Sequence, residues 1–408
     1  MVNRYLTEMD RSRGEEWLSV VNRLQFRSPV RAKINIRSFR EGLESSHYGM
    51  GTVKKSLSEE AVYLNNGFRS DTSICLVGAP GVGKTTMVQS FAEFIGRPFQ
   101  AITLGGSGFD VSYITGFSKS WSGSAPGAII NAIIAAGADD PIIMLDEIDK
   151  IGASGISNRG SISSALLALL DPTQKQTFMD NFLGFHYDIS KVTFIATANY
   201  IDRIAPELID RLRIIDVPSY SPKEKIHIGT SYILPRMAAN ARMTPEETGI
   251  TEQMIREIVE NHTREAGCRT LGQHVESLIR DLVLTREMQD EPVLMVNHDL
   301  SEVLGPPRSP VAPPAAPGRI NGLYASIMGG GTHPIEAVIL PSANSATPNA
   351  DPEITSKNGK DLPGDETGNM RHVMKESISV ARTAVMNAAR DLGIKNPRSI
   401  RFSHVHAL

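Results

Sequence analysis

GAPGVGKT, residues 78–85, sets three glycines, a lysine and a threonine in the order G-x-x-x-x-G-K-T. Glycine at 78, 81 and 83 lets backbone N–H groups turn inward on phosphate oxygens, where a side chain would clash. Lys84 then brings an ammonium to the outer phosphates and Thr85 a hydroxyl to magnesium, while Ala79, Pro80, Val82 and Thr86 complete the loop and open the helix behind it. A second stretch, IIMLDEIDK at 142–150, delivers two acids from the end of an apolar run. Asp146 suits a magnesium ligand and Glu147 a general base that polarises the attacking water. Two acids after a strand are by themselves more readily a solvated loop; beside a phosphate loop they make the second half of a nucleotide site.

Such a site needs strands to carry it. Short apolar runs recur at ICLV (74–77), FQAITL (99–104), IIML (142–145), VTFIA (192–196) and IIDV (214–217), with helical segments between them. That alternation predicts a mostly parallel sheet covered on both faces, with its ligand crevice at the carboxyl ends of the strands. The phosphate loop directly follows ICLV, as its mechanism requires. After Tyr220 the strand signals stop. SPKE (221–224) and TPEE (244–247) each offer Ser or Thr as N-cap, Pro at N1 and Glu at N3, and Leu271, Val275, Leu278, Ile279 and Leu282 stripe a further helix. The expected division is an N-terminal helical arm (1–57), an α/β nucleotide-binding domain (58–218), an all-helical lid (219–304), a proline-rich linker (305–318) and a partial α+β domain (319–408). In the last of these, INGLYASIM and EAVIL read as strands, 341–369 as a polar loop, Met370 to Leu392 as a helix closed by Gly393, and the period-2 run from Ile400 to Leu408 as a final strand.

At 408 residues and 41% hydrophobic content, the chain can bury two or three cores. Its 42 basic and 45 acidic residues leave a formal charge of -3, so no global field draws it to nucleic acid or an anionic membrane. No basic, aromatic-interleaved stripe indicates nucleic acid either. Neither a leader peptide nor a long apolar span is evident, and the two cysteines, Cys75 and Cys268, lack ligand spacing; a reducing cytoplasm fits.

Taken together, HYGMGTVK (47–54), GAPGVGKT, LDEIDKIG (145–152), SSALLALLDP (163–172), ATAN (196–199), LIDRL (208–212) and TREAGCRTL (263–271) resemble the AAA+ ATPase module of the Lon family of ATP-dependent proteases, in family order over about residues 15–300. The resemblance implies that Asn199 is the polar sensor that orients the water, Arg211 an arginine finger reaching a neighbouring subunit's nucleotide, and Arg269 the sensor of the lid. It implies His47 and Tyr48 near the adenine, with Tyr48 stacking. It also implies a pore loop at 118–127, where Trp121 replaces the usual tyrosine ahead of Ser122. Read without the family, Arg211 is a surface salt-bridge partner and Tyr48 a core tyrosine on equal or better terms, whereas a locally packed ring is the lesser reading of Trp121.

Past the linker, GRINGLYASIMGGGTHPIEAVILP and MKESISVARTAVMNAARDLGI resemble the opening of the Lon proteolytic domain, and HVH (404–406) the strand leading toward its nucleophile. The family's serine-bearing P-K-D-G-P-S-A-G and its activating lysine have no counterpart among these residues. Lys375 and Ser377 lie two apart on one helix and cannot form that dyad. The expected function is an ATP- and Mg2+-dependent unfoldase or translocase, a homo-oligomeric ring with six members expected, acting in protein quality control on unfolded or tagged proteins without its own peptidase dyad. Alternatives are a regulatory or assembly subunit joining a full-length relative or a separate peptidase, and a fragment of a Lon protease.

Overall fold

The computed structural model describes residues 2–24, 31, 33–68, 70–105, 111–118, 123–151, 159–289, 300–307, 319–326, 329–337, 365–367, 380–381, 383–384, 387–388 and 404–407. The chain forms two compact units, Met1–Arg308 and Ser309–Leu408.

In the first unit, β1 (Ser73–Val77), β2 (Phe99–Thr103), β3 (Ile142–Asp146), β6 (Thr193–Ala198) and β7 (Leu212–Asp216) make one parallel sheet in the order β2-β3-β6-β1-β7; β4 (Phe178–Met179) and β5 (His186–Tyr187) form a small antiparallel pair. Each of the five apolar runs of the sequence overlaps one of these main strands. Their side chains alternate between two cores, because successive residues of a strand point to opposite faces. Cys75, Val77, Ile143, Leu145 and Phe194 join one core; Ile74, Leu76, Ile142, Met144 and Ile195 join the other. Burial on both faces is why the runs are continuously apolar and not alternating.

The N-terminal helix Val2–Arg23 packs on this domain. Trp17 donates its indole N–H to the Leu183 carbonyl at 3.0 Å and meets the Phe185 ring edge-on at 6.3 Å. Beyond β7 the first unit is helical. Ser221 and Thr244 form the expected capping boxes with Glu224 and Glu247. The helix Arg269–Gln289 carries Leu271, Val275, Leu278, Ile279 and Leu282 into a third core. Among the described residues no helix is long and apolar enough to cross a membrane. Burial pushes the thiols of Cys75 and Cys268 up to about 12, so both behave as small packed side chains.

The second unit contains β8 (Arg319–Ser326), β9 (Gly329–Ala337), β10 (Asp365–Thr367) and β11 (His404–Ala407), in the order β10-β11-β9-β8. β9 takes in the first two residues of the strand expected over EAVIL, whose last three lie outside the described residues, and reaches back to Gly329, where Gly-Gly-Gly-Thr-His-Pro has no apolar period and pairing with β8 supplies the order. A short strand, β10, interrupts the stretch read as a polar loop; it is only three residues long and parallel to β11. The terminal strand is interior, with β10 on one edge and antiparallel β9 on the other. Met370, Lys375, Ser377 and most of the proposed helix lie outside the described residues.

Candidate nucleotide site

The loop 78–85 leaves the carboxyl end of β1 and turns into the helix Lys84–Phe94. Two of its glycines have left-handed backbones, with φ of 79° at Gly81 and 97° at Gly83, where a Cβ is strained. Gly78 is excluded from bearing a side chain by space: a Cβ there would sit 2.5 Å from the Val217 carbonyl oxygen. Lys84, only 8% exposed, points back into the loop. Its ammonium donates to the carbonyls of Gly78 (2.6 Å) and Ala79 (3.1 Å) and to Asn199 Oδ1 (2.9 Å). Burial lowers its pKa, opposed by the nearby carboxylates of Asp146, Asp149 and Glu147. Pro80 and Thr85 are exposed, and Thr86 donates to Gly83 O at 3.0 Å.

β3 pairs with β2 and β6 and so brings Asp146 and Glu147 to the same end of the sheet. The Thr197 hydroxyl donates to Asp146 Oδ1 and accepts the Glu147 N–H at 3.2 Å. Glu147 takes a left-handed backbone, φ 60°, and its Oε1 accepts from Lys150 Nζ at 2.6 Å. Gly105 leaves room for that carboxylate, since a Cβ there would overlap Glu147 Oε2. Asp149 is buried and accepts the Tyr200 N–H at 3.2 Å, which ties the turn after Asn199 to β3.

The lid closes directly on the loop. Cys268 N–H donates to Gly81 O (3.0 Å), Tyr220 Oη donates to Val82 O (2.9 Å), and a Cβ on Gly81 would lie 2.8 Å from Arg269 Cβ. Arg269 thus starts its helix beside the loop with an exposed side chain. His47 Nε2 and Thr86 Oγ1 are 2.9 Å apart, and His47 Nδ1 and Ser46 Oγ also 2.9 Å. Burial, with help from Lys54 and Arg236, lowers the His47 pKa to about 4. The Tyr48 ring meets His227 of the lid, centroids 4.7 Å apart.

Arg211 is elsewhere. Its carbonyl accepts from Ser73 N–H at 3.1 Å, at the amino end of β1, and its guanidinium pairs with Asp171 at 3.3 Å while staying 46% exposed. β1 rises roughly 13 Å from Ser73 to Val77, so Arg211 stands a full strand away from its own phosphate loop. Trp121 and Ser122 lie outside the described residues. The roots of their segment are described: Phe117 N–H donates to Ala125 O (3.0 Å), and buried Asp180 accepts from Gly127 N–H (2.8 Å), Phe182 N–H and Leu183 N–H.

The residues fit a magnesium polyphosphate. Lys84 spends its three donors on two loop carbonyls and on Asn199, within a loop whose backbone at 78, 81 and 83 favours glycine, and the Asp146 carboxylate lies nearby. Thr85 and Asp146 would hold the ion. Sequence reasoning named the loop residues and both acids as candidates and passed over Thr197, Asp149, Lys150 and Asp180. The only available signal for Thr197 was its place in ATAN.

Residues 74–219 match the profile of the "ATPase family associated with various cellular activities (AAA)", and residues 239–293 that of the "Lon protease AAA+ ATPase lid domain". The chain is 35% identical over 386 residues to a Lon protease of Brucella abortus biovar 1 (strain 9-941), covering 93% of this chain and 44% of the relative. It is 34% identical over 398 residues to a Lon protease of Acinetobacter baumannii (strain AB307-0294), covering 96% and 46%. A Lon protease of Flavobacterium johnsoniae is 35% identical over 373 residues, covering 89% and 42%. The chain therefore spans somewhat under half the length of these relatives. An AAA domain, a Lon lid closed upon its phosphate loop and Lon proteases matching nearly the whole chain lead to one assignment: this chain belongs to the Lon family of AAA+ proteins.

Proposed function

We propose that the chain hydrolyses ATP and uses the energy to unfold or thread polypeptide, as one member of a homo-oligomeric ring, and that these 408 residues do not themselves cut the peptide bond. The convergence of Lys84, Asp146, Glu147 and Asn199 at one end of the sheet, under the lid, carries this reading. Magnesium, when bound, draws charge from the phosphate oxygens. Lys84 would trade its backbone acceptors for phosphate oxygens, and Asn199, released from Lys84, would orient the attacking water without competing for the ion. Glu147 would take the water's proton as the new P–O bond forms and the bond to ADP breaks. Arg211 would spread charge over the phosphoryl group bound in a neighbouring copy, because its own lies out of reach.

Phosphate release from the pure chain, measured with and without Mg2+ and an unfolded protein, tests the proposal. Turnover should need Mg2+, disappear in Lys84→Ala, and rise with polypeptide. Glu147→Gln should keep ATP bound while turnover falls by about 10² or more. Turnover indifferent to polypeptide would favour the regulatory subunit, and unchanged hydrolysis in Lys84→Ala would overturn the site. Cleavage of the unfolded protein by the pure chain would refute the last clause.

A further inference from the structure

We infer that Thr197 is a positioning residue for hydrolysis, one hydroxyl that sets both the ion-holding acid and the base; this rests on the ATPase reading above. Thr197 is 1% exposed on β6, between β1 and β3. A hydroxyl has one proton to give and two lone pairs. Here the proton goes to Asp146 Oδ1, and a lone pair receives the Glu147 N–H at 3.2 Å. The first bond fixes the rotation of the Asp146 carboxylate and therefore the direction in which its other oxygen faces the crevice. The second holds the amide of a residue whose backbone lies in the left-handed region, φ 60°, a conformation that needs surrounding contacts to persist. Two positions on, just past the end of the strand, Asn199 contacts Lys84 at 2.9 Å. The strand and the residue just past it thereby register the lysine, the acid and the base against one another.

Packing alone does not account for the threonine. Valine has nearly the same shape and suits a buried strand, but it would leave Asp146 Oδ1 and the Glu147 N–H without this partner. Two substitutions of the full chain therefore separate the roles: Thr197→Val keeps the shape and removes the hydroxyl, whereas Thr197→Ser keeps the hydroxyl and removes a methyl. In Thr197→Val, kcat for ATP should fall about ten- to a hundredfold. The gain in ADP affinity on adding Mg2+, measured by calorimetry, should shrink as well, while ADP affinity without Mg2+ stays within about threefold of wild type. Thr197→Ser should return both quantities to within about threefold. The inference is overturned if Thr197→Val keeps wild-type turnover and Mg2+ gain, or if Thr197→Ser is as impaired as Thr197→Val, since the methyl would then be what matters. A wild-type chain that gains ADP affinity with Mg2+ but does not hydrolyse ATP would refute the ATPase reading alone, and the binding arm would still decide on Thr197.

Discussion

His47 sits between the hydroxyls of Ser46 and Thr86, where burial with Lys54 and Arg236 lowers its pKa from 6.5 to about 4. As pH falls, the unfolded chain binds that proton first, so stability is whole above pH 6.5 and is lost progressively down to about pH 4, by up to about 3 kcal/mol. His47→Gln should therefore flatten the fall of Tm across this window, followed by circular dichroism; parallel curves for wild type and variant would remove the imidazole from the account. The contrast with Lys84, Asp146 and Glu147 explains what the sequence could reveal. Those residues occur in runs whose spacing is dictated by a triphosphate, a fixed external shape, and so they were legible. Thr197 and Asp149 act through partners fixed only when β3 and β6 pair, and one threonine among several carries no mark of that. Asp180 was hidden in the same way. Its three backbone donors belong to a turn and to Gly127, fifty-three positions away.

At the scale of elements, the lid meets the phosphate loop backbone to backbone. A Cβ on Gly267 would overlap the carbonyl group of Gly81, and backbone cannot yield as a flexible side chain can. Gly267→Ala should push the lid off the loop, weakening ATP binding about tenfold or more and costing about 1–3 kcal/mol of stability. Titration with a fluorescent ATP analogue beside a melting curve would check both, and wild-type affinity would show that lid closure at this point does not matter to binding. The five main strands and the capped lid helices were readable because each buries a regular stripe or satisfies its own first turn. β10 and the glycine-rich start of β9 were not. Gly-rich and acidic segments acquire strand geometry there from a neighbour's free edge, which composition does not encode.

For the whole molecule, the placement of Arg211 at the amino end of β1 and of Lys84 beyond its carboxyl end makes a prediction about mixtures. Arg211→Ala and Lys84→Ala chains, each inactive alone, should regain part of the ATPase rate when combined, because one supplies the finger and the other the intact loop. Phosphate release that stays flat at every mixing ratio would mean that the arginine serves its own copy or none. The same geometry bears on how the protein is assayed. If Arg211 is an arm's length short of its own loop, then dilution must extinguish turnover faster than it thins the sample. A specific activity would have meaning only beside the concentration at which neighbours were present to complete each pocket.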